Sequence, residues 1–497
     1  MSTSDRFCGL SGGGLRTSGL RVGWFVTAAS LTATLASAPG FAAGIEHPDI
    51  GTIAIGRGGA YAAAPTDGLA MQYNPAGFAS QHGWRLTLDA NLAWQQLSFA
   101  PATGGATVSN SAGPFLVGAP IASYGFGQMG PLSSLTLALG FTTPSAIGKE
   151  TYPGTHPPTP PLPIDQAGQR YALISSDYFI VYYSAAVAAS YKNWLSAGVT
   201  FQLVHGTAKF SQAVWSGPAM GTDPTNDSVA NVDVTSGWIP TAVFGVSVRP
   251  PQIPRLALGL SYRPRFDFNA SGTLTTELPP TQQAALGITV VGNSTDFFLR
   301  FPDVIRFGAQ YQVNSRLLVE ADLVGELWSD LQTIEIRPKN IHITSMSFGT
   351  DKTLPNIIFP KDYQNSLSVR LGGDYDLVPG RLTVRAGYLH ETSAIPLKSV
   401  SVDFGNWQRD VISVGGTVKI WRGINASVAY AHHFIADQNV TNSNVAQVVT
   451  PCVTPNCTNP DATIVGNGVY KASLDVASLS LGMILDDFRP RPYVISP

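Results

Sequence analysis

The segment Trp84-Arg-Leu-Thr-Leu-Asp-Ala-Asn-Leu-Ala-Trp94 alternates between apolar and polar side chains along its whole length. Because side chains of a β-strand point to opposite faces in turn, one face of this segment is apolar and the other is polar. A tilted strand needs about 9–11 residues to cross a bilayer, and this segment has that length. Similar segments recur as far as Leu485. The pattern predicts an all-β protein, a transmembrane antiparallel β-barrel.

The alternating segments set the predicted number of strands at about 14, an even number as in other bacterial barrels. Short connections such as Lys192-Asn193 alternate along the chain with long ones such as 144–177. Short periplasmic turns and long outer loops are typical of these barrels, so we expect both termini on the periplasmic side. The predicted strands are 84–99, 119–127, 133–143, 178–191, 194–205, 238–249, 255–267, 302–313, 316–328, 364–376, 381–392, 409–420, 424–435 and 469–485.

The composition of the 497-residue chain limits the classes of protein to which it can belong. Charged residues make up 12% of it, about half of the roughly 25% that is usual for soluble domains. The formal net charge is −2, and no basic face or tail stands out. A nucleic-acid partner is therefore not expected.

Residues 1–42 have the features of a secretory signal peptide. Basic residues precede an apolar run at 22–38, and Gly40-Phe41-Ala42 offers small residues at the −3 and −1 positions of a cleavage site. A transmembrane anchor is the alternative, but the run is short and rich in Ser and Thr. The predicted destination is the outer membrane of a Gram-negative cell.

Residues 43–83 precede the first strand and show no sustained alternation. Small residues dominate the stretch, and Asn74-Pro75 would end a short helical turn because a residue before proline avoids the helical region. We interpret 43–83 as an N-terminal hatch, a plug inside the lumen of a barrel at 84–485. A flexible linker is the alternative, and it is disfavoured by the apolar residues Ile53, Ile55, Tyr61, Leu69, Met71, Tyr73 and Phe78.

Charged side chains share the inward faces of several predicted strands. Glu320, Asp322 and Glu326 lie on one face of their strand, and Arg370 and Asp374 lie on one face of another. Charges of both signs fit ladders of ion pairs around an object in the lumen. A solvated pore wall fits the same pattern equally well.

Two further features concern the end of the chain. After cleavage the remaining cysteines are Cys452 and Cys457 in the last outer loop, and they predict a disulfide, since zinc would need further ligands nearby. In the last strand the apolar face changes, so a β-bulge is expected near Val476-Ala477. Residues 486–497 form a C-terminal tail beyond the last strand.

The chain resembles the FadL family of outer-membrane channels for long-chain fatty acids and other hydrophobic compounds. The likeness covers nearly all of the mature chain, and two Gly-rich motifs in residues 43–83 carry much of it. The matching motifs are Gly56-Arg-Gly-Gly-Ala-Tyr61, Tyr73-Asn-Pro-Ala-Gly77, Gly168-Gln-Arg-Tyr-Ala172, Leu256-Ala-Leu-Gly-Leu-Ser-Tyr-Arg263, Phe301-Pro-Asp303, Leu382-Thr-Val-Arg-Ala-Gly-Tyr388, Asn467-Gly-Val-Tyr470 and Leu481-Gly482.

The resemblance implies capture of a hydrophobic substrate by outer loops, transfer to an internal apolar pocket, and sideways release through a gap in the wall at a kinked third strand. Gly140 and Pro144 match that strand here, although Pro144 could equally begin the outer loop. The Pro-rich run 157–163 and the tail 486–497 depart from the family's pattern.

Residues of the hatch are the predicted gate. Its Gly-rich backbone can move at little steric cost, and the amide of Asn74 can bridge the hatch to lumen-facing charges. We expect the Asn-Pro-Ala triplet to hold the plug closed while the Gly-rich motif shifts, although the triplet could instead only nucleate hatch folding. The gate residues are Gly56, Gly58, Tyr61, Asn74, Pro75 and Ala76.

Apolar residues in two outer loops are the predicted capture site, because contiguous exposed apolar patches usually mark interaction sites. The same residues could instead pack together as a lid or contact lipopolysaccharide. They are Phe210, Val214 and Trp215 in one loop and Leu286, Ile288 and Val290 in the other.

These features predict a monomeric channel for passive uptake of hydrophobic small molecules, in contact with outer-membrane lipid and lipopolysaccharide and without a cofactor or metal. An aqueous porin or adhesion scaffold is one alternative. An outer-membrane esterase or phospholipase is another, but the sequence holds neither a Gly-x-Ser-x-Gly nor a His-Glu-x-x-His motif.

Overall fold

A computed structural model describes residues 49–143, 148–153, 168–217, 219–279, 283, 287–404, 407–453 and 461–488. The predicted signal peptide, residues 43–48 of the predicted hatch and the end of the C-terminal tail lie outside these residues. The barrel strands are β1 Gly83–Pro101, β2 Phe115–Met129, β3 Leu132–Thr142, β4 Ser175–Tyr191, β5 Leu195–Trp215, β6 Ile239–Val248, β7 Leu256–Arg263, β8 Val304–Gln312, β9 Leu317–Glu326, β10 Ser366–Val378, β11 Leu382–Glu391, β12 Arg409–Trp421, β13 Ile424–Ile435 and β14 Gly468–Ile484.

The strands form a closed antiparallel barrel of 14 strands, which confirms the predicted fold class. Each strand pairs with the next, and β14 pairs with β1 from Arg85↔Ile484 to Pro101↔Gly468. Every alternating segment of the sequence coincides with one barrel strand. Within the described part of the chain, no helix has the length and apolar character to span a bilayer.

Beyond the predicted strand ends, the outer side of the barrel continues as β-structure rather than loops. β5 extends to Trp215 and pairs with the strand Asp227–Ser236, where the sequence predicts a loop from residue 206. That prediction is wrong because residues 210–215 are buried on both faces of the strand, which removes the alternation. The other outer strands are Val108–Ser109, Gly148–Thr151, Phe266–Glu277, Ile288–Val291, Ser294–Phe301, Thr333–Lys339, His342–Ser345, Thr350–Thr353, Ile357–Pro360 and Gln438–Val440.

Strand β14 contains no bulge, so this prediction is also wrong. Its register with β1 and with β13 is continuous through Val476 and Ala477. The inward face instead changes character: Leu474 and Val476 belong to an apolar cluster, whereas Ser478 and Ser480 are buried polar residues further along. Along β14 the lumen is therefore apolar toward the outer loops and polar toward the periplasmic turns.

Helical structure is short and lies outside the barrel strands. The part of the N-terminal region that the structure describes, residues 49–82, is called here the N-terminal segment. It contains the α-helices Thr52–Gly56 and Ala70–Tyr73 and the 3₁₀-helix Pro75–Ser80. The other 3₁₀-helices among the described residues are Gly168–Tyr171, Pro224–Asn226, Trp328–Asp330, Leu397–Ser399 and Leu485–Phe488.

Candidate functional site

The N-terminal segment is joined to the inward face of β9–β11 by buried ion pairs. Arg57 donates from Nε and Nη2 to the two carboxylate oxygens of Asp374, at 2.7 and 2.6 Å. Its Nη1 donates to Glu320 Oε2 at 3.1 Å. Arg57 is only 3% exposed, so water screens these charges little. The charge of Arg57 is thus paired with the carboxylates of Asp374 and Glu320. We call this inward face of β9–β11 the polar wall.

Backbone amides of the segment complete the contact with the polar wall. Asp322 Oδ2 accepts hydrogen bonds from the amides of Tyr61 and Ala62 at 2.7 and 2.8 Å. Glu320 Oε1 accepts one from the amide of Ala63 at 2.9 Å. These N–H groups replace the hydrogen bonds to water that the buried carboxylates have lost. The two acids of β9 therefore fix the path of residues 61–63.

Glycines of the wall bring the backbone of the segment close to the strands. A Cβ on Gly387 of β11 would lie 2.0 Å from the carbonyl carbon of Arg57. Gly58 has a φ of 63°, and a Cβ there would lie 2.7 Å from the amide nitrogen of Tyr388. Side chains at either position would push the segment away from β11.

The Asn74-Pro75-Ala76 triplet contacts the barrel at β6, away from β9–β11. Asn74 Nδ2 donates to the carbonyl of Ala62 at 2.8 Å and to the carbonyl of Val246 in β6 at 3.1 Å. Its Oδ1 accepts from the amide of Ala76 at 3.1 Å, which begins the 3₁₀-helix. Asn74 thus binds backbone carbonyls and not the lumenal charges that the sequence led us to expect.

A second face of the N-terminal segment packs against small apolar side chains of β2–β4, which we call the apolar wall. Tyr61 packs edge-on against Tyr73, with ring centroids 5.6 Å apart, in the same cluster. The cluster contains Ile50, Ala54, Tyr61, Leu69, Ala70, Met71, Tyr73, Phe78 and Ala79 of the segment and Val117, Ala119, Ile121, Ala138, Ala186 and Ala188 of the wall. No ion pair joins the segment to this wall among the described residues.

Strand pairing is interrupted at the outer end of the apolar wall. β2 and β3 pair only as far as Ile121↔Gly140. β3 pairs with β4 up to Thr142↔Tyr182, and pairing resumes at Gly148↔Tyr178. Gly148 follows Thr142 by six positions in the chain, whereas Tyr182 follows Tyr178 by four. The register between the two paired segments therefore shifts by two residues. Gly140 therefore lies at the outer end of the pairing between β2 and β3. Pro144 lies outside the described residues.

Beneath the outer loops, an apolar pocket of about 190 Å³ brings the two predicted capture regions together. Val214 of β5 and Val290 of the strand Ile288–Val291 both line it. An apolar cavity of roughly 150 Å³ is large enough for one benzene molecule. The other lining residues are Ala230, Leu274, Thr276, Ile343, Leu354, Pro355, Asn356, Ile357, Ile358, Gln447, Val448, Val449 and Thr450.

The remaining predicted capture residues do not line this pocket. Phe210 is 9% exposed and stacks with Tyr178 at 6.3 Å. Trp215 is 3% exposed, and its Nε1 donates to the carbonyl of Ala219 at 2.9 Å. Ile288 is buried in a smaller cluster, and Leu286 lies outside the described residues. The side chains of Phe210, Trp215 and Ile288 are packed rather than exposed because outer strands cover them.

An ion pair near the pocket was not predicted as functional. Arg170 Nε donates to Asp227 at 2.6 Å, and the Tyr171 hydroxyl donates to the same carboxylate at 2.6 Å. The sequence offers one signal, the Gln-Arg-Tyr motif at 169–171. In the adjacent turn, hydrogen bonds from Thr225 lower the pKa of Asp223. Both acids of this loop therefore have partners in the protein.

An exposed apolar tip above the pocket was also missed by the sequence analysis. Met346 is 85% exposed and Phe348 is 40% exposed, at the turn between the strands His342–Ser345 and Thr350–Thr353. Residues 342–345 pair with the strand Ile288–Val291, which carries Val290. The tip is thus connected to the pocket through one small sheet.

Cysteine and metal chemistry adds little to this site. Cys452 is in a disulfide, and Cys457 lies outside the described residues, so their pairing stays a prediction. Among the described residues, no group of three or more His, Cys, Asp or Glu side chains is placed to hold a metal ion.

Solved structures with a similar fold include a FadL homologue and two toluene transporters. A FadL homologue from Pseudomonas aeruginosa matches with a TM-score of 0.68 and 16% identity, over 90% of this chain and 100% of that chain. The toluene transporter TbuX from Ralstonia pickettii matches with a TM-score of 0.59 and 14% identity, over 88% and 98%. The P. putida toluene transporter TodX gives 0.59 and 14%, over 88% and 99%.

At such identities these likenesses concern the fold alone. Among curated proteins, none matches the chain significantly. The family model of outer membrane protein transport protein (OMPP1/FadL/TodX) matches residues 30–470. The resemblance seen in the sequence is therefore confirmed, and the chain belongs to this family of outer-membrane transport proteins, not to a family of enzymes.

Proposed function

We propose that the protein carries hydrophobic small molecules, namely long-chain fatty acids or related lipophilic compounds, passively across the outer membrane. The observation that carries the proposal is the apolar outer half of the lumen, a cluster that extends from the outer strands to Leu389, Val411 and Leu474 of the barrel. The free energy of an apolar solute falls when it leaves water for such surroundings. An aqueous porin would need a polar path instead.

Capture is assigned to the pocket lined by Val214 and Val290. The exposed tip at Met346 and Phe348 would make the first contact, since exposed apolar side chains are attractive to apolar solutes. From the pocket a solute would pass to the cluster that contains Phe210 and Phe297, whose rings are 5.6 Å apart. The toluene channels of the same fold support a route for apolar solutes.

Uptake assays test the capture step. A fluorescent dodecanoate is offered to cells that lack their own channel and express this protein. We expect Val290→Asp to slow uptake several-fold, because a charge in an apolar pocket is costly to desolvate. The neighbouring Val291 is 56% exposed, so Val291→Asp is the matched control and should transport normally. Equal rates for the two variants would remove the pocket from the route.

Sideways release is assigned to the interrupted pairing beside β3. Above Ile121↔Gly140 the wall between β2 and β3 lacks regular pairing among the described residues. The Thr143 hydroxyl donates to the carbonyl of Gly118 across this interruption at 3.4 Å, a weak contact. The apolar wall lies directly below it, so a hydrophobic solute would leave through apolar surroundings into the bilayer.

A disulfide tether tests the release step. A pair of cysteines at Gly118 and Thr143 should block uptake until reduced. The matched control is a pair at Ala122 and Leu139, which face one another in continuous pairing on the outer surface of the barrel, and it should transport at the normal rate. Full transport through the oxidised Gly118–Thr143 tether would rule the lateral path out.

Movement of the N-terminal segment is the third step of the proposal. Residues Gly56–Tyr61 carry Arg57, which is bound to the polar wall, and Tyr61, whose ring belongs to the cluster on the apolar wall. A shift of this stretch would therefore loosen the cover of the apolar wall. Asn74, Pro75 and Ala76 would stay in place against β6 as the fixed end. The gate is tested by tethering Gly56 to Gly415 of β12 through cysteines, since a Cβ on either residue would lie 3.4 or 3.2 Å from the Cα of the other. Unchanged uptake through the tethered protein would contradict a moving segment.

A further inference from the structure

Glu150 places a buried carboxyl group in the apolar outer half of the lumen. It belongs to the outer strand Gly148–Thr151, directly beyond the interrupted pairing at β3, and it is 2% exposed. Within the part of the chain that the structure describes, its Oε2 atom is buried and has no hydrogen-bond partner. A buried polar group of this kind costs free energy unless another group satisfies it.

A second buried group without a partner lies opposite Glu150. Ser176 of β4 pairs with Glu150 in the strand register, and residues in such positions have Cβ atoms roughly 5 Å apart. Ser176 is 5% exposed, and its Oγ atom also lacks a hydrogen-bond partner among the described residues. Two polar groups that are both buried and unsatisfied are therefore neighbours on one inward face.

Burial and a nearby negative charge favour the neutral form of Glu150. Among the described residues, the charge that acts on Glu150 is that of Asp403, which itself is paired with Lys361. Burial raises the pKa of Glu150 well above its usual range, and the charge of Asp403 raises it further. A protonated carboxyl group carries an O–H donor, and the hydroxyl of Ser176 supplies a second donor.

Aromatic side chains lie next to these two donors. Ser176 pairs in register with Phe210 of β5, so the row that begins at Glu150 continues to an aromatic ring. Phe210 stacks with Tyr178, and their ring centroids are 6.3 Å apart. The Glu150 carboxyl also acts electrostatically on Tyr152 and Tyr178. Since the three rings belong to the apolar cluster, the donors form a polar spot in otherwise apolar surroundings.

We propose that Glu150 and Ser176 form a subsite for the carbonyl oxygen of a neutral hydrophobic molecule, such as a ketone or an ester. A carbonyl oxygen has two lone pairs and can accept one hydrogen bond from each residue. The apolar part of the molecule would lie against Phe210 and Tyr178. An ionised head group would have to bind elsewhere, because Asp403 already places a negative charge here. This inference rests on the proposed function and specifies a class of substrate for the same route.

Equilibrium dialysis of the purified full-length mature protein in lipid nanodiscs tests the subsite, with empty nanodiscs subtracted. The probes are acetophenone and α-methylstyrene, which have nearly the same shape, although only acetophenone has a carbonyl oxygen. We expect Glu150→Leu to lower the affinity for acetophenone relative to α-methylstyrene about fivefold, the factor for one hydrogen bond. Ser176→Ala should lower this ratio by a similar factor. Glu150→Gln should keep the ratio, because the amide is neutral and still donates a hydrogen bond.

Thr151→Leu is the matched control, because Thr151 follows Glu150 in the chain but lies on the exposed face of the strand; the ratio should stay at the wild-type value. Infrared difference spectra give a second readout. Binding of acetophenone to the wild type should shift the carbonyl band of a protonated carboxylic acid, and this difference band should be missing in Glu150→Gln.

An unchanged ratio in Glu150→Leu or in Ser176→Ala would overturn the subsite, and a buried water would then be the acceptor for both donors. A ratio in Glu150→Gln as low as in Glu150→Leu, or a wild-type spectrum without the difference band, would also overturn it. If Glu150→Leu does not fold, Ser176→Ala and the difference band decide. Binding of neither probe to the wild type would instead count against the proposed function.

Discussion

The polar wall of β9–β11 and the apolar wall of β2–β4 hold the same N-terminal segment by different forces. On the polar wall, Glu320, Asp322 and Asp374 accept hydrogen bonds from Arg57 and from backbone amides. On the apolar wall, the contacts are between small aliphatic and aromatic side chains. Directional bonds with fixed partners define one position, whereas apolar contacts of similar size can be exchanged for others.

This difference assigns different roles to the two walls. An apolar surface can exchange a covering side chain for an apolar solute with little change in solvation. A buried carboxylate cannot lose its partners so easily, because it is then left without compensation. We therefore regard the polar wall as the contact that holds the N-terminal segment closed and that breaks when Gly56–Tyr61 shifts. The apolar wall is the side along which substrate leaves.

The largest effect is expected from Arg57→Met on the polar wall. Loss of the guanidinium leaves Glu320 and Asp374 without their main partner, and breaking a buried pair costs about 3–5 kcal/mol. The free energy of local opening, measured by hydrogen exchange at the amides of Tyr61 and Ala62, should fall by this amount. Arg255→Gln, at an exposed turn, should leave exchange unchanged. Wild-type protection in Arg57→Met would show that the anchor lies elsewhere.

Asn74→Ala should have the next largest effect. It deprives the carbonyls of Ala62 and Val246 of a buried donor, a loss of about 1–3 kcal/mol. Hydrogen exchange at the amide of Ala76 should become faster by the factor that corresponds to this free energy. Uptake should change, whereas the amount of folded barrel should not. Asn439→Ala, on an exposed position of an outer strand, is the control. If Asn74→Ala prevents assembly altogether, the triplet serves folding and not gating.

On the apolar wall, Ile121→Val should have a smaller effect. Removing one methylene from a buried position costs about 0.5–1.5 kcal/mol. Exchange in the N-terminal segment should increase slightly, and transport should persist because the surface stays apolar. Ile412→Val is the control, since Ile412 faces outward and is 55% exposed. A loss as large as that of Arg57→Met would remove the distinction between the two walls.

The smallest effect is expected outside the lumen, at an ion pair between outer strands. Lys209 and Asp233 are 2.8 Å apart, but both side chains are more than half exposed. Exposed pairs contribute little because water already solvates their charges. Lys209→Met should leave thermal unfolding and uptake unchanged within error. A marked loss of either would show that charge pairing matters here regardless of burial.

The barrel was predictable from the sequence because its signal is local. Side chains alternate at every second residue, and the bilayer sets both strand length and polarity. Where lipid does not face the strand, the signal disappears, as at residues 210–215, which are buried on both faces. The change of face in β14 was read as a bulge because alternation alone does not show that the lumen itself turns apolar near the outer loops.

By itself the sequence determined the 14 barrel strands, their turns and the family, since these depend on short-range patterns and motifs. Only the tertiary structure decided which charges meet: Arg57 lies 317 positions from Asp374 in the chain. It also brought Val214 and Val290 to one pocket and placed the guanidinium of Arg306 over the ring of Tyr73. Such contacts depend on strand register and on closure of the barrel, which no local pattern specifies.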